Sequence, residues 1–168
     1  MSIKEMKIRS IEKQDIKGCA KLFAQVFSSA PWNEPWTEED AFTRLNHFYE
    51  SEGFLGILIE KDRILGFALG NWEPFYFGNM FYLREMCTDT KLQSQGIGSK
   101  VYSALESELT SSSVKSIYLT TEREIPAASF YKKHGFNYSD GRCWKCTNLI
   151  SNCTKRRLFY RRRSDHFG

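Results

Sequence analysis

KLQSQGIGSKV, residues 91–101, carries two glycines separated by one residue, at the point where an extended apolar stretch is followed by a helical one. A glycine turn that leads into a helix suits phosphate binding, because the first N–H groups of a helix lack intrahelical acceptors and the helix dipole is positive there. A dinucleotide fingerprint would need a third glycine at Val101, and a Walker loop would need four residues between its glycines. Both patterns are excluded, and Gly96 and Gly98 indicate either a phosphate-binding turn or an ordinary tight turn.

Hydrophobic periodicity on either side of this turn predicts a mixed α/β domain. Strands are expected over residues 7–10, 54–61, 63–72, 79–88 and 116–121, and helices over 16–27, from 37 onward, over 97–109 and over 125–135. A further hairpin is predicted within residues 136–150, with its turn at Asp140 and Gly141. The glycine turn then lies where the fourth strand leads into the third helix.

The length of 168 residues predicts one domain, which we place at residues 1–153, followed by a basic tail at 154–168. The formal charge is +4, but the tail holds six of the 24 Lys and Arg residues and one of the 20 Asp and Glu residues. Subtracting the tail leaves 18 bases and 19 acids, so the domain itself is close to neutral. A nucleic-acid partner is therefore not expected, and the tail is interpreted as a flexible solvated segment.

The five cysteines are an odd number without the spacing of a disulfide framework, which indicates reduced thiols. Cys143, Cys146 and Cys153 lie close together in the sequence, but a fourth ligand is not evident, so no metal site is predicted.

No apolar run reaches the roughly 18 residues that cross a bilayer, and the first ten residues are charged where a secretory signal would be apolar. We expect a cytoplasmic protein without a membrane partner, either a monomer or a homodimer.

Two motifs together resemble those of one enzyme family. Gln93-x-x-Gly96-x-Gly98 is similar to the Arg/Gln-x-x-Gly-x-Gly/Ala motif of the GCN5-related N-acetyltransferase (GNAT) family, which uses acetyl-CoA. AASFYKKHGF, residues 127–136, is similar to a later helix of that family and the strand after it, with the recurring Tyr-x-x-x-Gly-Phe at Tyr131. The resemblance implies an α/β fold of the α+β type, whose mixed, mostly antiparallel central sheet has about seven strands flanked by about four helices.

The same resemblance implies a binding site for acetyl-CoA as co-substrate. N–H groups of the glycine turn would hold the pyrophosphate, and a splay between the fourth and fifth strands would let the fourth strand pair with pantetheine and polarise the thioester carbonyl. Cys87 is expected to be a packing residue and not a nucleophile. The residues implied are Met86, Cys87, Thr88, Gln93, Gln95, Gly96, Ile97, Gly98, Ser99 and Lys100.

Acetyl transfer to an amine needs a base for the ammonium and a proton for the departing thiolate. Glu85 is the candidate base because it lies in the strand that leads into the turn, with a simple ion pair as the alternative. Strict alternation would place Leu83 and Cys87 on the same face of the sheet as Glu85.

Tyr131 is the acid that the resemblance implies, with a packed core tyrosine as the alternative. Weaker candidates for the base are Glu73, Glu122 and Glu124, and Glu124 replaces the Asn that the family frequently has seven residues before the tyrosine.

The acceptor site is implied to lie in the segment between the first two helices, APWNEPWTEED (30–40), and in the late hairpin. Trp32, Glu34 and Trp36 combine rings with a carboxylate, which suits a cationic amine. A helix cap and a packed loop explain the same residues without a substrate. The sequence therefore predicts an N-acetyltransferase that moves the acetyl group of acetyl-CoA directly to a primary amine of a small molecule or peptide. The alternative is an acyl-CoA-binding regulatory module without transfer activity.

Overall fold

The strands and helices begin and end close to the expected positions. The computed structural model describes residues 5–121, 126–139 and 156–159. Its strands are β1 (Lys7–Ser10), β2 (Phe54–Glu60), β3 (Ile64–Phe75), β4 (Gly78–Thr88), β5 (Val114–Thr120), β6 (Phe136–Ser139) and β7 (Arg156–Phe159). Its α-helices are α1 (Ile16–Phe27), α2 (Glu38–Glu50), α3 (Ile97–Ser111) and α4 (Pro126–Lys133), and two short 3-10 helices, Lys13–Asp15 and Thr90–Leu92, precede α1 and α3.

All the described strands form one seven-stranded sheet, in the order β1-β2-β3-β4-β5-β7-β6. The strands β1 to β4 are joined antiparallel, whereas β5 runs parallel to β4 because α3 connects them across one face of the sheet. β7 and β6 extend the sheet in parallel orientation beyond β5. The predicted fold is therefore confirmed for the described residues: a mixed sheet, mostly antiparallel over β1 to β5, with four α-helices.

The sheet separates two apolar cores. The α3 core contains Val101 and Leu105 of α3 together with Tyr131 of α4, and these side chains are buried against one face of β2 to β5. The α1 core contains Phe23 of α1 and Leu45 of α2, which are buried against the other face. Apolar residues recur every three or four positions along these helices, so each helix turns one continuous apolar side to the sheet. Each face of the sheet is thereby covered by its own helices.

Helix α2, expected from residue 37 onward, begins at a side-chain cap formed by Thr37. The hydroxyl of Thr37 accepts a 3.0 Å hydrogen bond from the backbone N–H of Asp40, and the two side chains are 2.6 Å apart. This cap satisfies one of the N–H groups that a helix start leaves unpaired. The loop that carries Trp32, Glu34 and Trp36 is therefore held directly against the first turn of α2.

Strands β4 and β5 pair over only part of their length. The last pair between them joins Tyr82 to Tyr118, whereas β4 continues to Thr88 along β3. In the described ranges, no strand pairs with residues 83–88 on the side of β5. The two strands therefore splay, as the resemblance implies, and leave an open backbone edge close to the start of α3.

Several expectations fall outside the described residues or remain predictions. The hairpin turn at Asp140 and Gly141 and the cysteine cluster at 143–153 lie outside them. Residues 156–159, assigned to the basic tail from the sequence, form β7, and the domain boundary after residue 153 remains a prediction. Over the described ranges, no helix is long and apolar enough to cross a membrane. Nor do three or more His, Cys, Asp or Glu side chains of these ranges come together as ligands for a metal ion.

Candidate active site

The glycine turn places a row of N–H groups at the start of α3. Gly96 is the N-cap residue and has a φ of 78°, a left-handed conformation that glycine adopts without strain. The helix start has no side-chain cap. Ile97, Gly98 and Ser99 follow, and no residue of the described chain accepts a hydrogen bond from their N–H groups. This row of donors at a helix N-terminus fits an anion such as a pyrophosphate.

Helix α4 holds the turn in position. A β-carbon on Gly98 would lie 3.3 Å from Cε2 of Phe130 and 3.6 Å from Cε of Met86, so the start of α3 packs closely against α4 and β4. The hydroxyl of Ser99 lies 3.1 Å from Nε2 of His134. Burial lowers the pKa of this histidine below its ordinary value, so it is neutral at neutral pH. A β-carbon at position 98 would require the ring of Phe130 to shift by a few tenths of an ångström.

The open edge of β4 lies beside this turn. Met86 packs against the α3 core, Cys87 is buried in the α1 core, and Thr88 is half-buried. Burial raises the pKa of the Cys87 thiol well above its ordinary value. The thiol therefore stays protonated, which agrees with a packing role for Cys87. The backbone of this segment fits an extended chain such as pantetheine, which would pair along it as a strand does.

A β-bulge at Arg84 changes the face on which β4 presents its side chains. Two adjacent residues of β3 pair with Leu83 and Glu85, which leaves Arg84 as the extra residue. Leu83 belongs to the α3 core, whereas the carboxylate of Glu85 lies on the opposite face, against Arg44 of α2. The prediction that Leu83 shares the face of Glu85 is therefore wrong, because the extra residue interrupts the alternation. Cys87 does share that face.

Glu85 is a buried carboxylate with a raised pKa. Its side chain is 11% exposed, and its Oε1 accepts a 2.6 Å hydrogen bond from Nε of Arg44. Loss of hydration raises the pKa of Glu85 to about 7, with a smaller contribution from the negative charge of Glu34 and against the positive charges of Arg44 and Arg84. Glu85 is therefore about half ionised at neutral pH, and it binds a proton more readily than an ordinary glutamate does.

Tyr131 approaches β4 from the other face of the sheet. Its ring packs edge-on against Phe130 and Phe136, at centroid distances of 5.4 and 5.5 Å. Burial raises the pKa of its phenol, and the negative charge of Glu85 acts in the same direction. The phenol is therefore protonated at every physiological pH.

An open groove of about 840 Å³ lies between the α1–α2 loop, α2 and the bulge of β4. Trp36 and Glu34 line it from the loop, and Nε1 of Trp36 donates a 2.6 Å hydrogen bond to Oε2 of Glu34. Arg44 lines it from α2 and connects the groove to Glu85 through their hydrogen bond. The other lining residues are Pro35, Asp40, Thr43, His47, Phe48 and Arg84.

Rings and guanidinium groups alternate along the wall of this groove. Cζ of Arg44 lies 5.8 Å from the ring centroid of Trp36 and 5.0 Å from that of Phe48. Cζ of Arg84 lies 5.3 Å from the centroid of Phe48 and 4.1 Å from that of Tyr82. Cation–π contacts of this kind position both guanidinium groups while leaving their N–H edges accessible.

Comparison with known proteins identifies the family. The model of the acetyltransferase (GNAT) family matches residues 19–136, a range that includes the glycine turn, the bulge and Tyr131. The chain belongs to the GNAT acetyltransferase family. Comparison with the curated proteins finds no match.

Solved GNAT structures share the fold at low sequence identity. An aminoglycoside acetyltransferase from an uncultured soil metagenomic sample, solved with trehalose, has a TM-score of 0.61 and 21% identity over 76% of this chain and 86% of its own. Glucosamine-6-phosphate N-acetyltransferase from Arabidopsis thaliana has a TM-score of 0.62 and 19% identity over 84% and 97%. The aminoglycoside N-acetyltransferase AAC(6')-Iy, solved with CoA, has a TM-score of 0.62 and 14% identity over 84% and 93%.

The GNAT fold gathers most of the predicted site residues around the end of β4. In the glycine turn Ile97 is buried and Gly98 and Ser99 are half-buried, whereas the others are exposed: Gln93, Gln95, Gly96 and Lys100. Glu34 and Trp36 line the groove, and their assignment to an acceptor site remains a prediction. Trp32 does not line it within the described residues, and its ring packs against Phe27 at a centroid distance of 5.0 Å.

Three residues that line the groove of this GNAT chain were not predicted from the sequence: Arg44, Phe48 and Arg84. Arg44 and Phe48 are four residues apart on α2, so counting from the Thr37 cap could have placed them on one side of the helix. Arg84 carries no such signal, because its position depends on the bulge. Among the weaker candidates for the base, Glu73 accepts a 2.7 Å hydrogen bond from the hydroxyl of Tyr118. Glu122 and Glu124 lie outside the described residues.

Proposed function

We propose that this chain is an N-acetyltransferase that moves the acetyl group of acetyl-CoA directly to a primary amine of a small molecule or peptide bound in the groove. One observation carries the proposal: Glu85, with a pKa of about 7, lies between the groove and the open edge of β4. A base for the amine is thereby next to the backbone that fits pantetheine. Bound acetyl-CoA supplies the acetyl group as a reactive thioester.

The residues present fit the donor. The unpaired N–H groups of residues 97–99 suit the pyrophosphate, and the left-handed Gly96 leaves open space before them. The backbone of residues 86–88 suits the pantetheine arm, and an N–H of this segment would polarise the thioester carbonyl. Gln93, Gln95 and Lys100 lie at the surface beside the turn, where their side chains can contact phosphate oxygens.

Glu85 takes a proton from the acceptor ammonium. An alkylammonium has a pKa near 10, so a base with a pKa of about 7 faces a gap of roughly three units, or about 4 kcal/mol. An ordinary glutamate would face a gap of about six units. Arg44 pairs with the ionised carboxylate and orients it while leaving Oε2 for the substrate. The raised pKa of Glu85 therefore lowers the free-energy cost of the proton transfer, while about half of the carboxyl groups remain ionised at neutral pH.

Tyr131 holds a proton on the opposite side of β4. Its raised pKa keeps Oη protonated until negative charge develops at a departing sulfur nearby. Because the phenol lies in the α3 core and Glu85 lies on the α1 side, proton uptake and proton donation are separated by the strand.

Thiol release in the presence of acetyl-CoA and a panel of amines tests this proposal. We expect wild-type protein to release free CoA with at least one amine of the panel, together with an acetylated product seen by mass spectrometry. Glu85→Gln should lower turnover at neutral pH, whereas the matched control Glu108→Gln, on the exposed side of α3, should not. Protein that binds acetyl-CoA in calorimetry but releases no CoA with any small amine or peptide would contradict the proposal and indicate a regulatory module.

A further inference from the structure

We propose that the acceptor is a small molecule that carries an anionic group, a carboxylate or a phosphate, close to its amine, and that Arg84 binds this group. The inference rests on the proposed function of the groove and names the substrate class that the groove selects. It rests on the position of Arg84, on the charges around it and on the bulge, which places the side chains of Arg84 and Glu85 on the same face of β4.

Arg84 is a cation whose position is fixed by rings and not by an acid. Its guanidinium lies 4.1 Å from the ring centroid of Tyr82 and 5.3 Å from that of Phe48. Within the part of the chain that the structure describes, no carboxylate forms an ion pair with it. Stacking on a ring leaves the planar N–H edge of a guanidinium available, and this edge matches a carboxylate or phosphate with two parallel hydrogen bonds.

Arg44 is less available to an anion, because its positive charge is paired with Glu85, whose Oε1 accepts a 2.6 Å hydrogen bond from its Nε. The charges of this pair largely offset each other. Glu34 remains as the acid of the loop, with its Oε2 bonded to Nε1 of Trp36. The groove therefore presents the carboxylates of Glu34 and Asp40 near the loop and the start of α2, and the guanidinium of Arg84 at the bulge. A dipolar acceptor, with an ammonium and an anion, matches this pattern better than a polycation, which would meet Arg84 with like charge.

The bulge determines how far apart the two ends of the acceptor lie. Arg84 and Glu85 are consecutive residues, so their Cα atoms are about 3.8 Å apart, yet the bulge turns both side chains to the α2 face. Regular alternation would have sent one of them to the α3 core. The site that binds the anion is thereby adjacent to the base, which favours acceptors whose anion and amine are separated by only a few bonds.

Matched amines test this inference. The probes are β-alanine against propylamine for the carboxylate, O-phosphoethanolamine against ethanolamine for the phosphate, and 1,3-diaminopropane for a second cation. In wild type we expect kcat/KM for at least one anionic probe to exceed that of its neutral partner by about tenfold or more, mainly through KM. Arg84→Gln should remove this preference, because it should lower kcat/KM for the anionic probe about tenfold or more relative to its neutral partner. Lys61→Gln, which removes a charge in the β2–β3 turn, is the matched control and should keep the preference.

Binding without turnover separates this inference from the proposed function. Calorimetric binding of O-phosphoethanolamine and β-alanine to the wild-type protein should weaken about tenfold or more in Arg84→Gln. If CoA is released but neutral amines or the diamine are preferred, or if an anionic preference survives in Arg84→Gln, the inference is overturned and the proposed function stands. If no amine releases CoA but an anionic probe still binds through Arg84, the proposed function fails and the anion site stands. If neither anionic probe binds, the inference is overturned whatever the turnover.

Discussion

Glu85 is hydrogen-bonded to a guanidinium at 2.6 Å, yet its pKa is raised to about 7, because the loss of hydration outweighs the ion pair. The neighbouring groups that face it are Arg44 from α2, Glu34 from the loop and Arg84 from its own strand. Activity should follow its ionisation. We expect kcat/KM to fall as pH drops through about 7, because the protonated carboxyl cannot act as a base.

The pH–rate profile of wild type and Glu85→Gln checks this expectation. The variant should lose roughly a hundredfold or more of kcat/KM and also lose the acidic limb centred near pH 7. An acidic limb in the wild type centred near pH 4.5, the ordinary value for glutamate, would show that Glu85 is not desolvated during turnover.

The same residue should make folding stability depend on pH. The pKa of Glu85 is raised from 4.5 to about 7, so between these values the folded state binds more protons than the unfolded state. The free energy of unfolding therefore falls as pH rises through this window, and the stability that the protonated form provides is lost above about pH 7. The full effect is at most about 3 kcal/mol. Urea unfolding of wild type and Glu85→Gln at about pH 5 and about pH 8 should show this fall only in the wild type; parallel changes in both proteins would refute it.

Tyr131 offers a second prediction for a single residue. Tyr131→Phe keeps the ring contacts with Phe130 and Phe136 and removes only the hydroxyl. We expect turnover to fall by roughly a hundredfold, with the acetyl-CoA Kd changed by less than about twofold, because the proton donor is lost and the donor site is kept. Stopped-assay turnover and calorimetry measure the two quantities. Tyr49→Phe, on α2 beside Phe54, is the control, and equal losses in both variants would assign Tyr131 a packing role only.

At the scale of the elements, we expect the glycine turn and α3 to act together as one anion site. A β-carbon at Gly96 would meet no atom within 4 Å, so a side chain there need not clash, although a φ of 78° disfavours most residues. Asparagine can adopt this conformation, so Gly96→Asn changes the side chain without adding charge. Gly96→Asp adds a negative charge beside the unpaired N–H groups. We expect the acetyl-CoA Kd to rise about tenfold or more for Gly96→Asp, and clearly less for Gly96→Asn. Equal Kd values for the two variants would argue against pyrophosphate at this turn.

The elements were predictable from the sequence because their signals are local. Thr37 and Asp40 mark the start of α2, and the spacing of Ile97, Val101, Leu105 and Leu109 marks the buried side of α3. The bulge at Arg84 was not predictable, because it exists only through the register between β4 and β3. The donor side of the site, which follows a contiguous motif, could therefore be proposed in detail. The acceptor side could not be proposed in the same detail, because Arg44 of α2 and Arg84 of β4 come to line one groove only in the folded chain.

At the scale of the whole molecule, the sheet extends past β5 through a strand close to the C-terminal end of the sequence. β7 lies between β5 and β6, so removing it would leave both neighbours with unpaired edges. We expect deletion of residues 154–168 to lower the Tm and the yield of folded protein, whereas deletion of 160–168, which keeps β7, should change the Tm little. Thermal unfolding of the two truncated chains checks this. Identical Tm values for the full chain and both truncations would show that β7 contributes nothing to the fold.

The division of the interior into two cores has a kinetic consequence. In the proposed function, the donor binds on the α3 side of the sheet and the acceptor on the α1 side, so the two would meet where β4 separates from β5. The Cys87 thiol at this point is buried and its pKa is raised far above the ordinary value, so it is a poor candidate to carry an acyl group between half-reactions. Both substrates must then be present at once, and double-reciprocal plots of initial velocity at several fixed acceptor concentrations should intersect. Parallel lines would instead mean that the first product departs before the second substrate arrives.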